Sequence, residues 1–124
     1  MDGMARGAPL KKAVRRGILA VKRGNEMVKH VILWKLKDGL DDKAAVKAAI
    51  KSGLEGLKGV VPGLVDIAVR TEGLASSNAD LMLDSTFESA AALAGYAVHP
   101  AHVAVANGKV RPFVQTRLCL DYEA

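Results

Sequence analysis

Only one cysteine, Cys119, occurs in the chain, so no intramolecular disulfide can form and no zinc motif built on paired cysteines is present. A lone thiol fits a reducing compartment, and the chain reads as cytoplasmic. Cys119 lies between Leu118 and Leu120 and reads as a small buried side chain rather than a nucleophile. Long apolar runs are missing too. No segment approaches the roughly 20 residues that cross a bilayer as a helix, and the first residues lack the uninterrupted apolar core of a secretory signal. No internal repeat or low-complexity tract interrupts the chain.

An excess of one charge is absent from most of the sequence. The net charge is +5, but residues 1–26 hold seven basic and two acidic side chains, which leaves residues 27–124 with eleven of each. A nucleic-acid surface needs a basic face with helical or aromatic readers, and the neutral portion gives no compositional support for one. In the basic stretch Leu10, Val14, Ile18 and Val21 recur at helical spacing with cations between them. Such a segment can lie on an anionic membrane or act as a transit peptide, and it is the one route to a membrane that the sequence contains. The other reading is a poorly ordered extension, or a start that properly falls at Met27. Residues 27–124 are expected to form one domain.

What is present from Met27 onward is a regular succession of patterns. Val28, His30, Ile32, Trp34 and Leu36 alternate with Lys29, Val31, Leu33, Lys35 and Lys37, the period of two that marks a strand. Asp38-Gly39 ends it, and Asp41 is placed to cap a helix whose apolar stripe runs from Ala45 to Leu57 and stops near Lys58-Gly59. Pro62-Gly63 turns into a second strand, Leu64 to Arg70, with Val65, Ile67 and Val69 expected on one side. A Gly- and Ser-rich loop leads to a third strand, Asp80 to Phe87. Ser89 caps a short helix through Tyr96, with Leu93 and Tyr96 on one face. Pro100 disfavours helical geometry at His99 and suits the first turn of a new helix, which Asn107-Gly108 is expected to stop. Phe113 to Tyr122 reads as the last strand.

The order strand, helix, strand, strand, helix, strand is that of an α+β, ferredoxin-like β-α-β-β-α-β domain with both helices on one face of an antiparallel sheet. The first strand is apolar on both faces, and water does not tolerate a large bare apolar sheet face. A second copy of the sheet is the expected cover, so the chain is expected to be a homodimer.

Chemistry concentrates in the eight residues from Gly95 to His102, which hold Tyr96, His99 and His102, two of the three histidines of the chain. The third, His30, shares a strand face with Trp34. If they converge, an imidazole titrating near neutrality removes a proton from a carbon beside carbonyls, and a positioned base of this kind contributes roughly 10²- to 10⁴-fold. His102 is the expected base, with Tyr96 and His30 polarising the carbonyl. Where the Pro100 break falls decides whether His99 or His102 faces inward. The plainer alternative makes His30 a core imidazole hydrogen-bonded to the third helix, Tyr96 a helix-packing residue with its hydroxyl satisfied, and His102 a cap or a sheet-contacting residue. A zinc site would need all three histidines together and has no carboxylate spacing to support it, so no metal and no cofactor is expected.

The segment Val28-Lys29-His30-Val31-Ile32-Leu33-Trp34-Lys35-Leu36-Lys37, then Thr86-Phe87-Glu88-Ser89, then Tyr96-Ala97-Val98-His99-Pro100-Ala101-His102, resembles the stress-responsive α/β-barrel (Dabb) family over residues 27–122. The resemblance implies a dimeric α+β barrel. The family includes a plant olivetolic acid cyclase, which closes a linear polyketide by an aldol reaction without metal or organic cofactor. By that likeness His30, Tyr96 and His102 are the catalytic residues.

Three function classes follow. One is a dimer that binds a small apolar, carbonyl or polyketide-like ligand between sheet and helices, with Ile32, Trp34, Leu93 and His99 as ligand contacts. Another is a cofactor-free cyclase or lyase that uses His30, Tyr96 and His102 in the same place. The last is a non-catalytic assembly protein, in which the space between sheet and helices is filled.

Overall fold

The computed structural model describes residues 26–124. The expectations for the basic extension, its ordering, its start and its membrane contact, lie outside the described residues, Glu26 apart. The elements run β1 (Val28–Leu36), α1 (Lys43–Glu55), β2 (Leu64–Arg70), β3 (Leu81–Phe87), α2 (Ala90–Val98), α3 (Pro100–Val105) and β4 (Val114–Glu123). Four strands form one antiparallel sheet in the order β2-β3-β1-β4. This is the ferredoxin-like arrangement expected from the patterning, with a third helix added between α2 and β4.

Alternation in β1 decides which face carries the core. Val28, His30, Ile32, Trp34 and Leu36 are all buried, and the residues between them are half-buried or exposed. Ile32, Trp34 and Leu36 join Leu81, Leu83 and Phe87 of β3, Ile50 and Leu54 of α1, and Tyr96 of α2 in a single apolar cluster. Each fully buried aliphatic or aromatic side chain in it stabilises the fold by about 1.5–3 kcal/mol over its exposed state. The helix face is therefore the core face.

Several local features differ from the expectation, each for a physical reason. Asp42, not Asp41, caps α1, its carboxylate accepting from the Ala45 amide at 3.0 Å. The helix ends at Glu55 rather than near Gly59. A bulge between Leu64 and Asp66 breaks the alternation of β2 and leaves Val65 exposed while Leu64, Ile67 and Val69 are buried. Asn107-Gly108 does not stop the helix: the chain continues through a π turn, Ala106–Val110, and a 3-10 turn, Arg111–Phe113. The widened turn buries both Ala106 and Val110, four residues apart, and the Arg111 guanidinium donates to the Asn107 side-chain carbonyl. Cys119 is exposed rather than buried, because β4 is an edge strand over which no helix packs closely among the described residues.

The opposite face of the sheet carries a bare apolar patch over β1 and β4, beside the Lys29–Asp84 ion pair. Leu33 stands between Met82 and Leu118, and Val31 between Asp84 and Leu120. Leu118 is 64% exposed, Leu120 65% and Tyr122 46%. No helix among the described residues is long and apolar enough to cross a membrane.

Candidate functional site

The site begins with a row of three residues across three strands. Ser85 of β3 and Asp121 of β4 are the cross-strand partners of His30, so all three side chains rise on the core face. The buried Ser85 hydroxyl donates to the His30 carbonyl at 2.8 Å and pins β1 to β3 at this point. On the other side the His30 Nδ1 meets the Asp121 carboxylate at 2.5 Å. Burial works to raise the Asp121 pKa, but the His30 and Cys119 hydrogen bonds and nearby positive charge hold it below the ordinary carboxylate value. In neutral His30 this fixes the proton on Nδ1 and leaves Nε2 as the acceptor.

α2 and α3 supply the rest. Ser89 caps α2 through the Ala92 amide, and the helix carries Leu93 and Tyr96 inward on one face. The chain breaks where proline requires it: His99 is extended (φ −65°, ψ 132°) and Pro100 opens α3. The break turns His102 back onto Tyr96, with ring centroids 4.1 Å apart, while His30 approaches the other side of Tyr96 at 6.1 Å. Phe87 packs against the same phenol at 4.9 Å.

These groups form one end of a cavity of about 570 Å³ between sheet and helices, within the size range of small-molecule sites. Its lining is apolar at Ile32, Trp34, Leu54, Leu83, Leu93 and Val110 and polar at His30, Tyr96, His102, Arg111, Gln115 and Arg117. His30, Tyr96 and His102 thus meet, together with Ile32, Trp34 and Leu93. His99 does not join them. Its Nδ1 accepts from the Ala101 amide at 3.1 Å and caps α3, because the extended geometry before proline turns it away from the cavity.

The electrostatics separate an acid from a base. Tyr96 is 2% exposed, and its hydroxyl has no hydrogen-bond partner among the described residues. Burial pushes its pKa up to about 12, so it stays a neutral donor. Burial lowers the His102 pKa below the ordinary 6.5; the Ala97 carbonyl opposes this, and the charges of Arg111, His30 and Arg117 reinforce it. The His102 Nδ1 sits 3.3 Å from that carbonyl, so it carries the proton and Nε2 keeps its lone pair. The structure differs from the plainer reading of the trio in two details, the Tyr96 hydroxyl having no partner among the described residues and His30 bonding to the last strand rather than to a helix, while His30 is the buried imidazole that this reading expects.

Asp121, Arg111, Gln115 and Arg117 are site residues that sequence reasoning alone does not reach. For Arg117 and Asp121 the signal is register: once β4 is paired with β1, Arg117, Cys119 and Asp121 fall opposite Trp34, Ile32 and His30, whereas Arg111, in the 3-10 turn, and Gln115, which has no register partner, have no such signal. Cys119 Sγ lies 3.4 Å from Asp121 Oδ1 and 3.7 Å from His30 Nδ1. Burial and the neighbouring Asp121 raise its thiol pKa.

A sequence model of the stress-responsive A/B barrel domain, Dabb, matches residues 28–124. The chain belongs to the Dabb family. Among solved structures, this Dabb chain is similar to a dimeric protein of unknown function with a ferredoxin-like fold from Bacteroides fragilis (29% identity, TM-score 0.73, covering 79% of this chain and 96% of that one). It is similar to an Arabidopsis thaliana protein at 27% identity (TM-score 0.66, covering 78% and 94%). The fold is also that of a hydroxynitrile lyase from Passiflora edulis (19% identity, TM-score 0.67, covering 81% and 94%). A comparison with curated proteins finds no significant match.

Proposed function

We propose that this Dabb protein is a homodimer that holds a small, largely apolar ligand between sheet and helices, with a carbonyl oxygen of the ligand at the polar end. The observation that carries the reading is the Tyr96 hydroxyl, buried without a protein acceptor or donor among the described residues, in a cavity whose lining joins aliphatic residues and Trp34 to a few polar side chains. Leaving such a group unpaired costs about 1–3 kcal/mol, and a ligand oxygen recovers it. An open cavity also weighs against a barrel that only builds assemblies. A single free thiol and the absence of a membrane-crossing helix among the described residues fit a cytoplasmic protein.

The dimer reading rests on the bare sheet face, where Leu33, Leu118, Leu120 and Tyr122 need a cover, and on the dimeric relative from Bacteroides fragilis.

A thermal-shift screen of small ketones, 1,3-diketones and aromatic acids on the wild-type chain and on His102→Ala tests the ligand reading. Stabilisation of the wild type that is reduced in the variant is expected. Equal shifts in both would remove His102 from the site.

A second reading, cofactor-free cyclase or lyase chemistry, is favoured by the opposed states of Tyr96 and His102. In it His102 Nε2 takes a proton from the carbon beside the carbonyl. The bonding pair moves onto the carbonyl oxygen as an enolate, which accepts the Tyr96 hydroxyl hydrogen bond. Arg111 and Arg117 add positive potential at that end, and His30, oriented by Asp121, faces the same carbonyl. The carbon nucleophile then attacks a second carbonyl of the same molecule, whose oxygen becomes an alkoxide and takes back the proton held by His102; in reverse, His102 removes the hydroxyl proton and the carbon–carbon bond breaks, its electron pair returning to the enolate. The same fold carries a hydroxynitrile lyase in Passiflora edulis. Exchange of the acidic carbon-bound hydrogen of a bound diketone into heavy water, followed by proton NMR, is expected with the wild type and lost in His102→Ala.

A further inference from the structure

His30, Cys119 and Asp121 bring three different donor atoms to one point: His30 Nδ1, Cys119 Sγ and Asp121 Oδ1 all lie within 4.8 Å of one another. The sequence places them there by strand geometry alone. Cys119 and Asp121 are two apart on β4 and share its core face, and His30 is the direct cross-strand partner of Asp121. Two interpretations of a thiol, an imidazole and a carboxylate are open, and the geometry separates them. A nucleophilic relay needs the thiol on one imidazole nitrogen and the carboxylate on the other. Here both approach the same Nδ1, so Cys119 and Asp121 compete for one nitrogen rather than relay through two. Convergence on one point is the arrangement that a shared cation requires.

We propose that His30, Cys119 and Asp121 form a three-ligand site for a zinc-class divalent ion on the edge strand, beside the cavity that His30 lines. In a tetrahedral zinc site with Zn–N and Zn–O bonds of roughly 2.0–2.1 Å and a Zn–S bond of roughly 2.3 Å, the ligand atoms stand about 3.3–3.6 Å apart. The Sγ–Oδ1 separation of 3.4 Å and the Sγ–Nδ1 separation of 3.7 Å already match. Only the Nδ1–Oδ1 contact of 2.5 Å must open, as it does when a metal replaces the shared proton. Thiolate, imidazole and carboxylate together select zinc over magnesium or calcium, which prefer oxygen alone. The two anionic ligands balance the dication; Arg117, two residues before Cys119 on the same face, is an adverse charge. Three protein ligands leave the fourth position open, as in catalytic rather than structural sites.

Occupancy would also change His30 toward the cavity. With Asp121 on Nδ1, that nitrogen holds the proton and Nε2 accepts. With a metal on Nδ1, the proton moves to Nε2, which then donates. The inference rests on the donor geometry and stands whether or not the protein turns over a substrate.

The test is titration of the chelator-treated, untagged full-length chain with cobalt(II), read by visible and near-ultraviolet absorption, followed by displacement with zinc. The expected result is saturable binding of one ion per chain, with tetrahedral d–d bands and a thiolate-to-cobalt charge-transfer band. Cys119→Ser is expected to abolish the charge-transfer band. Asp121→Asn and His30→Asn are expected to weaken binding at least about tenfold, and His99→Ala to leave it unchanged. Circular dichroism verifies the fold of each variant, and the two β4 substitutions, at exposed positions, carry the test if His30→Asn unfolds. Absence of saturable binding overturns the proposal. So does a band that survives Asp121→Asn unchanged, which marks adventitious thiol binding, or one lost in His99→Ala.

Discussion

Tyr96 and His102 are the residues on which the candidate chemistry turns, and their environments make separable predictions. Tyr96→Phe removes a hydroxyl that no described residue satisfies. Stability in chemical denaturation is therefore expected to hold or to rise slightly, while affinity for carbonyl ligands falls by about 1–2 kcal/mol in calorimetry. A purely structural tyrosine would show the opposite balance. For His102, burial lowers the pKa below 6.5, so the unfolded chain binds this proton more readily than the folded one. Its contribution to stability is complete above pH 6.5 and is lost as pH falls through the lower folded value. Base activity follows the same limb: hydrogen exchange of a bound diketone is expected to be flat above neutrality and to decline below that folded value. His102→Ala should reduce it by roughly 10²- to 10⁴-fold.

Among the elements, β1 is readable from its alternation alone, because burial on one face of a strand imposes a period of two that composition cannot hide. The break at Pro100 is readable for a similar reason, since proline constrains the residue before it whatever the tertiary context. Other features are not. Asp121 becomes a site residue only through the register of β4 against β1, a pairing between positions 91 residues apart. The π turn at Ala106–Val110 contradicts a local stop signal because the cavity wall recruits both Ala106 and Val110, a tertiary preference that overrides Asn-Gly. Two predictions belong at this scale. Ser85→Ala deletes the buried bond to the His30 carbonyl and should cost about 1–3 kcal/mol in urea unfolding. Gly63 has φ +82°, and a Cβ there would stand 2.5 Å from the Ala92 Cβ of α2. Gly63→Ala should therefore cost more than about 1 kcal/mol and lower the melting temperature, by straining the turn and pushing α2 off the sheet.

For the molecule as a whole, the bare sheet face calls for a second copy. Leu118→Glu together with Leu120→Lys is expected to convert the protein to monomer in sedimentation velocity, while single substitutions at exposed α1 positions such as Ala44 leave it unchanged. β4 contributes to both halves of this architecture. Arg117, Cys119 and Asp121 point to the cavity side, and Leu118, Leu120 and Tyr122 to the bare side. The strand therefore tolerates no change of length. One residue inserted after Thr116 would exchange the two sets, presenting leucines to the histidine-lined end of the cavity and an arginine and an aspartate to the sheet of the partner. Recognition and assembly would fail in a single step, so length variation among functional homologues should stop at the borders of this strand.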